Sequence, residues 1–249
     1  MFAAAHEKGY TCGGLSLYFY DHLIPTLHYS WGTGRCYVDR DGNVTAVDNA
    51  ALKKVFEYQV DWVNKGYFRE DAYINGGSTD NPDVMTFLNG DQLMAFVPAM
   101  TLKGEDYQGS EVDWVVGPYP RVDETANNTG VGIACGFAMT ETCENKEIAG
   151  EILNILTEAK NQVSFNEVVG YMCARRSCGN IFADLRGFDD LAKVYEGLDD
   201  SYGATWHFIT SSLANSILAE RQAMYMGTQT VDETLARIAA LLQEGLDNQ

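Results

Sequence analysis

The stretch that decides the fold is Thr86-Phe87-Leu88-Asn89-Gly90-Asp91-Gln92-Leu93-Met94-Ala95-Phe96, which predicts the end of a helix, a turn and a strand in succession. Pro82 favours the first turn of that helix, where its missing N–H needs no partner, and Asn89-Gly90 ends it. The uninterrupted apolar run Leu93–Val97 then predicts a buried strand. A helix followed at once by a buried strand indicates an α/β fold.

The residues before this stretch predict a hairpin and a long helix. Two β-prone runs, Cys36–Val38 and Val44–Val47, flank Asp41-Gly42, which supplies the positive φ that a tight turn requires. A helix capped by Asp48 and continuing to about Lys65 follows, with apolar residues along one side. These elements also alternate between strand and helix.

The residues after the stretch continue the pattern. Val112–Val116 and the uncharged, glycine-rich run Gly130–Met139 predict two further strands. Because glycines leave room beside the backbone, we expect another group to approach the glycine-rich strand closely. The rest is mainly helical, and Thr230 and Glu233 form a capping box at the last helix. One helix is predicted with Ile148, Ile152 and Ile155 on one face, and others over residues 163–169, 189–196, 206–226 and 231–246. The last is expected to bury a stripe formed by Val231, Leu235, Ile238 and Leu242.

The composition excludes several classes of function. The chain has 249 residues, with 17 Lys and Arg against 35 Asp and Glu, and its formal net charge is −18. Neutralising nucleic-acid phosphates requires a cationic face, and so does attachment to anionic lipid, so neither ligand is expected. No apolar run approaches the roughly 20 residues that span a bilayer, and the N-terminus lacks the basic region of a signal peptide.

No catalytic, cofactor or metal motif is visible. The six cysteines are scattered without a C-x-x-C pair, which favours free buried thiols over a disulfide framework and disfavours zinc. Gly130, Gly132 and Gly136 do not have the spacing of a dinucleotide-binding loop, and we predict no cofactor. A glycoside hydrolase would need two carboxylates facing each other across the sugar. Because the chain has 35 acidic residues, some pair is bound to be close, and the presence of such a pair does not distinguish a hydrolase from other proteins.

Aromatic residues are the more informative feature. Aromatic faces can stack on the apolar faces of sugar rings, while nearby Asp, Asn and Arg side chains bond the hydroxyls. The alternative, that these side chains only fill the core, stays open for each of them. The aromatic residues concerned are Tyr18, Phe19, Tyr20, Tyr29 and Trp31 near the start, and Trp206 and Phe208 at a late helix.

Taken in order, these stretches resemble the maltose-binding-like group of extracellular solute-binding proteins that serve ABC importers. Thr86–Phe96 is similar to the family's "F..G..AM" signature, and Trp114–Pro120 is similar to its "w.v.P.P" strand. Gly170–Ser177 resembles its "G..P.R.s" loop, with Cys173 where proline is usual. Val47–Gly66 is similar to the family helix that follows its hairpin, and Gly132–Met139 with Asn145–Ala149 resembles its glycine-rich strand and "NKE.A..F" helix.

The resemblance implies a periplasmic-binding-protein-like fold of type II, with two α/β lobes. Residues 1–133 would form the first part of the C-terminal lobe, residues 134–183 a return to the N-terminal lobe, and residues 184–249 the helical remainder of the C-terminal lobe. Most of the first lobe would then lie upstream of Met1. We expect the returning segment to expose apolar surface, through which the chain could form a homodimer.

The resemblance also implies ligand contacts. Met100 occupies a position where sugar binders often place a stacking tryptophan, and Trp206 opens a helix whose start often offers another aromatic platform. Arg175 lies on a loop where a guanidinium can bond hydroxyls or a carboxylate. The full set implied is Tyr18, Tyr20, Asp21, Trp31, Met100, Gly136, Phe137, Arg175 and Trp206.

The implied function is that of the substrate-binding component of an ABC sugar importer. It would bind a mono- or oligosaccharide in a cleft between lobes without catalysis and would dock on permease subunits. Its location would be extracellular or periplasmic, with a membrane anchor in a full-length lipoprotein. Two alternatives remain open: a carbohydrate-active hydrolase that uses a carboxylate pair, and a sensor or receptor domain of the same fold.

Overall fold

The computed structural model describes residues 2–12, 37–39, 41–68, 82–95, 97, 99–119, 121, 124, 126, 129–132, 136–197, 200–203 and 211–248. The chain divides into two compact units. The first unit comprises Met1–Phe96, Pro118–Gly132 and Leu198–Gln249, and the second comprises Val97–Gly117 and Ile133–Gly197. The predicted assignment of segments to the two lobes of the family fold remains a prediction.

The described part of the chain is mainly helical. Two short 3₁₀-helices, Ala99–Lys103 and Arg176–Cys178, lie in the second unit. The two strands are β1 (Thr129–Gly132) and β2 (Asp200–Gly203). The α-helices in chain order are α1 (Phe2–His6), α2 (Ala50–Asn64), α3 (Pro82–Leu88), α4 (Glu105–Gln108), α5 (Lys146–Leu156), α6 (Ala159–Val169), α7 (Phe188–Glu196), α8 (Ser211–Tyr225) and α9 (Val231–Asp247).

The core of the first unit is formed by one face each of α2, α8 and α9. Of the predicted stripe of α9, Leu235, Ile238 and Leu242 are buried in this core and Val231 is partly buried against it. The capping box of Thr230 and Glu233 is confirmed at the start of α9. On α2, Asn49 rather than Asp48 is the cap, because its side chain accepts a 3.1 Å hydrogen bond from the Leu52 N–H. The fully buried large side chains here are Phe56, Leu52, Met224, Leu235, Ile238 and Leu242.

Strands β1 and β2 form a parallel two-stranded sheet in the first unit. The register pairs Thr129 with Asp200 and Gly132 with Gly203. Parallel strands need a long connection, and here residues 133–197, which belong to the second unit, provide it. The strand predicted over Gly130–Met139 is therefore observed only in its first part, and residues 136–140 form no strand.

The predicted hairpin is confirmed. Val38 and Val44 form an antiparallel bridge, and the Asp39 N–H donates to the Asn43 carbonyl at 2.9 Å. Gly42 has a φ of +89°, the left-handed conformation that the turn demands. The Asp39 carboxylate accepts hydrogen bonds from the backbone N–H groups of Asp41 and Asn43, which fixes the loop from inside.

Two other predicted strands differ from the structure. Within Leu93–Val97, the described residues form no strand, and Leu93 is 47% exposed rather than buried. Its neighbour Gln92 instead makes a single parallel bridge with Thr11. Residues 112–116 are likewise without a ladder, with Trp114 buried and Val115 78% exposed. Both strands were predicted from their apolar residues, but an apolar segment forms a strand only where a partner strand pairs with it, and the described residues provide no ladder for either segment.

The core of the second unit is built around Trp114 and Arg186. The Arg186 guanidinium lies 4.6 Å from the ring centre of Trp114 and donates to backbone carbonyls, including that of Val112 at 2.9 Å. The Trp114 indole N–H donates to the Tyr107 carbonyl at 3.2 Å. Burial raises the pKa of the Tyr107 phenol, because the charged form would lose its hydration. These contacts hold residues 107–114 against the turn that precedes α7.

Helices α5 and α6 of the second unit follow one another across a short turn, and they carry exposed apolar side chains. Ile148, Ile152 and Ile155 lie along one side of α5 and are about half exposed; we call them the exposed stripe of α5. The prediction of exposed apolar surface within residues 134–183 is thereby confirmed. In the described part of the chain, no helix has the length and apolar character needed to cross a membrane.

Candidate ligand-binding surface

Four of the nine predicted ligand contacts fall on described residues, and all four belong to the second unit. They are Met100, Gly136, Phe137 and Arg175. The other five, Tyr18, Tyr20, Asp21, Trp31 and Trp206, lie outside the described residues.

Met100 lies beside the end of helix α6. The 3₁₀-helix that carries it is tied to α6 by Lys103, whose ammonium donates to the carbonyl groups of Glu167 and Val168, the latter at 3.0 Å. A cation at the carbonyl end of a helix is favourable because it satisfies free carbonyls and opposes the helix dipole. Gly170 caps α6 with a φ of +85°, and a Cβ there would lie 3.2 Å from the Met100 carbonyl oxygen. The exposed Met100 thus stands next to the start of the following loop.

Arg175 lies on that loop, residues 170–179, which is fixed at both ends. The Asn166 side-chain amide donates to the Gln162 carbonyl at 2.8 Å and to the Cys173 sulfur at 3.5 Å. The Arg175 carbonyl accepts from the Cys178 N–H at 3.0 Å, which starts the second 3₁₀-helix. The Arg175 side chain is exposed and makes no ion pair within the described part of the chain. Its guanidinium can therefore donate to an incoming ligand.

Phe137 contacts helix α6 through Phe165. Its ring meets that of Phe165 edge to face, with centroids 6.2 Å apart and planes at 65°. Both rings are about half exposed, so each keeps a face for other contacts. Gly136, next to it, is exposed, and apart from its chain neighbours no described residue has an atom within 4 Å of the place where a Cβ would stand. Packing within the described chain does not require a glycine there, contrary to the close approach expected from the sequence.

Helix α6 is thus the common support of the described candidates. Met100 lies at its carbonyl end, Phe137 on its Phe165, and Arg175 on the loop that leaves it. Sequence reasoning missed Tyr171, an exposed aromatic residue directly after Gly170, although it lies within the quoted Gly170–Ser177 stretch. The resemblance of this loop to the family predicted a role for its arginine only. The sequence signal for Tyr171 is an aromatic residue placed directly after the glycine that ends α6.

The surface around α6 presents groups that can stack and form hydrogen bonds. It offers aromatic rings, a thioether and a guanidinium, which suit a neutral polyhydroxylated ligand through stacking and hydrogen bonds. Among the residues that the structure describes, no three His, Cys, Asp or Glu side chains are grouped so that they could hold a metal ion.

Solved structures of sugar-binding proteins share this fold. The chain aligns with the sugar-binding protein MalE from the phytopathogen Xanthomonas citri over 99% of its length, with a TM-score of 0.73 and 18% identity. It aligns with a chitin oligosaccharide binding protein over 98%, with a TM-score of 0.72 and 11% identity. Maltose-bound MalE3 of T. maritima matches over 97%, with a TM-score of 0.64 and 15% identity.

The chain therefore has the fold of sugar-binding proteins of the MalE type, and the resemblance predicted from its motifs is confirmed at the level of the fold. It spans 62% of the length of each of these three structures. Two of them are described as binding proteins, and the third is described as bound to maltose. No family model matches the sequence, and no curated protein does.

Proposed function

We propose that this chain is the substrate-binding component of an ABC sugar importer and that it binds a mono- or oligosaccharide without catalysing a reaction. The observation that carries the proposal is the fold, which the chain shares over 97–99% of its length with proteins described as binding sugar, maltose and chitin oligosaccharide. Fold alone does not fix function, so the side chains around α6 provide the second support.

Those side chains have the properties that a sugar requires. The half-exposed rings of Phe137 and Phe165, and the exposed Tyr171, can stack on the apolar faces of pyranose rings. Arg175 can donate to hydroxyl oxygens. A neutral ligand also suits a chain of net charge −18, since an anionic ligand would be repelled.

The experiment is calorimetric titration with a panel of maltooligosaccharides and chitooligosaccharides. We expect saturable binding with no product detectable by chromatography after long incubation. The carbohydrate-hydrolase alternative predicts shortened oligosaccharides, and their appearance would overturn the proposal. A sensor or receptor domain would bind equally well, so that alternative is separated by testing whether the chain stimulates ATP hydrolysis by permease subunits.

Arg175→Ala is the variant that tests the described surface. Losing a hydrogen bond from a charged donor should weaken sugar affinity about tenfold, which corresponds to about 1.4 kcal/mol. Arg176→Ala is the matched control, because it removes the same charge from the adjacent exposed position. Equal affinities of the two variants and the parent chain would exclude a role of Arg175 in binding.

Trp31→Ala and Trp206→Ala test the predicted aromatic platforms outside the described residues. If these rings stack on the sugar, each variant loses affinity while its circular dichroism spectrum and thermal midpoint are unchanged. If they fill the core, the thermal midpoint falls as well.

The proposed partners are a carbohydrate and permease subunits, and the proposed location is outside the cell or in the periplasm, with membrane anchoring in the full-length protein.

We also propose that a second copy of this chain covers the exposed stripe of α5. Three isoleucines on one helix side are self-complementary, because a two-fold axis pairs such a face with itself. The net charge of −18 opposes contact between two copies, so an uncharged stripe is the most favourable meeting point.

Light scattering measures the mass of the particle in solution and tests the dimer. We expect twice the chain mass for the parent and a single chain mass for Ile152→Glu. Val115→Glu is the control, because Val115 is exposed in the same unit but is not a residue of α5. A monomeric parent, or a dimer that survives Ile152→Glu, would contradict the proposal.

A further inference from the structure

Two of the free cysteines lie together on the loop that carries Arg175. Cys173 and Cys178 are both partly exposed and both reduced. Cys178 lies close enough to Cys173 to contribute to the raised pKa of the Cys173 thiol, so the two thiols are neighbours. Cys12 and Cys143, the other free cysteines among the described residues, are not part of this pair, and Cys12 is fully buried.

Helix α6 holds both thiols in place. The Asn166 amide donates to the Cys173 sulfur at 3.5 Å, and the Cys178 sulfur lies 3.7 Å from the Ala159 carbonyl oxygen, to which it donates. The same Asn166 amide donates to the Gln162 carbonyl at 2.8 Å, and Gln162 is three residues after Ala159. The two sulfurs therefore lie against neighbouring carbonyl groups on one part of α6, although the 3₁₀-helix Arg176–Cys178 begins between them in the chain. The thiols are brought together by the fold and not only by their closeness in sequence.

We propose that Cys173 and Cys178 are a redox pair that forms a reversible disulfide and closes a ring around Arg175. The oxidant is a low-molecular-weight disulfide. One protein thiol loses its proton, and the thiolate attacks the oxidant, forming a mixed disulfide and releasing one small thiolate. The second protein thiolate then attacks the mixed disulfide and releases the other small thiol. Two protein thiols are oxidised, and one small disulfide is reduced to two thiols.

The rate of this reaction depends on pH. Burial, followed by the neighbouring Cys178, raises the pKa of the Cys173 thiol above its ordinary value, so little thiolate is present at neutral pH. Oxidation should therefore accelerate steadily as the pH rises towards and beyond the ordinary thiol pKa of about 8.5.

The ring changes the loop that presents Arg175. A disulfide removes conformations that the open loop can reach and so fixes the position of the Arg175 backbone. The consequence for sugar affinity rests on the proposed function, whereas disulfide formation itself does not. The two parts are therefore tested with different measurements.

Trypsin provides a direct test, because it cuts after Arg175 and Arg176, between the two cysteines. The chain is incubated with oxidised glutathione, alkylated, denatured and digested. We expect the peptides 161–175 and 177–186 to remain joined, with a mass equal to their sum less two hydrogen atoms. Adding a reductant before alkylation should separate them. If the two peptides appear separately with each cysteine alkylated, or pair with other cysteines, the proposal is overturned.

Single variants distinguish a pair from two independent thiols. Cys173→Ser and Cys178→Ser should each retain a glutathione adduct on the remaining cysteine, because no second thiol can displace it. Cys143→Ser is the control and should form the joined peptides like the parent. Rapid loss of the adduct in both single variants would contradict the pair. Sugar titration of the oxidised and reduced chains then measures the effect on binding, and its failure would leave the mass result intact.

Discussion

Gly187 shows how one residue can depend on a partner far away in the chain. Its φ is +83°, and a Cβ at this position would overlap Cζ3 of Trp114 and lie 2.7 Å from Cη2. We expect Gly187→Ala to lower the free energy of unfolding by about 2–4 kcal/mol, because backbone strain and steric overlap add. Urea denaturation followed by tryptophan fluorescence measures this loss.

Gly42→Ala is the matched control for that substitution. Gly42 has a similar φ of +89°, but apart from its chain neighbours no described residue comes within 4 Å of its Cβ position, so only backbone strain of about 1–2 kcal/mol is expected. Equal losses in the two variants would mean that the Trp114 ring moves aside without cost.

The sequence predicted the role of Gly42, since a turn is local. It could not predict that of Gly187, which depends on a ring brought close only by the folded unit.

At the level of single elements, two helices carry similar apolar stripes with opposite surroundings. Ile238 of α9 is 0% exposed, whereas Ile152 of α5 is 51% exposed. Ile238→Ala should therefore cost about 2–5 kcal/mol of unfolding free energy, since it leaves a cavity. Ile152→Ala should change it by less than about 1 kcal/mol. Chemical denaturation at concentrations where light scattering finds one chain per particle makes the comparison.

A large loss in Ile152→Ala under those conditions would mean that the same chain covers the stripe of α5. The sequence predicts both stripes equally well, because periodicity reports only that a helix has an apolar side. Whether that side is buried depends on neighbouring elements. For α9 these are α2 and α8, whereas α6, the neighbour of α5, leaves the stripe of α5 about half exposed.

The start of α9 makes stability depend on pH. The Glu233 carboxylate accepts from the Thr230 N–H and hydroxyl, both at 2.8 Å, and these bonds lower the pKa of Glu233. Since the pKa is lower in the folded chain, this stabilisation is fully present above the unfolded value of about 4.3 and is lost as the pH falls through the folded value.

Glu233→Gln should therefore lose less stability than the parent chain between about pH 6 and pH 3, because its amide does not titrate. Urea midpoints at the two pH values give the comparison. Identical pH dependence in both proteins would show that the capping bonds contribute nothing to acid sensitivity. The capping box itself was predictable from sequence, since both partners lie within one helical turn.

For the whole molecule, the order of several weak motifs predicted the fold better than any single motif did. Segments such as Thr86–Phe96 and Gly170–Ser177 are degenerate individually, but their order constrains the topology. The candidate surface was less predictable, because it depends on contacts between distant segments. Lys103 reaching the end of α6, and Phe137 meeting Phe165, are set by tertiary packing that no local pattern encodes.

The parallel pairing of β1 with β2 has a consequence for the order of folding. Thr129 and Asp200 are separated by about 70 residues, and closing so long a loop is entropically unfavourable until the intervening chain is compact. Helices α8 and α9 are adjacent in sequence and can associate early, whereas the sheet is expected to form late. The sheet of the first unit is therefore expected to form only after the second unit, which connects its two strands, has become compact. A substitution that slows collapse of the second unit, such as Gly187→Ala, would therefore also slow formation of the β1–β2 sheet, although Gly187 is not part of that sheet.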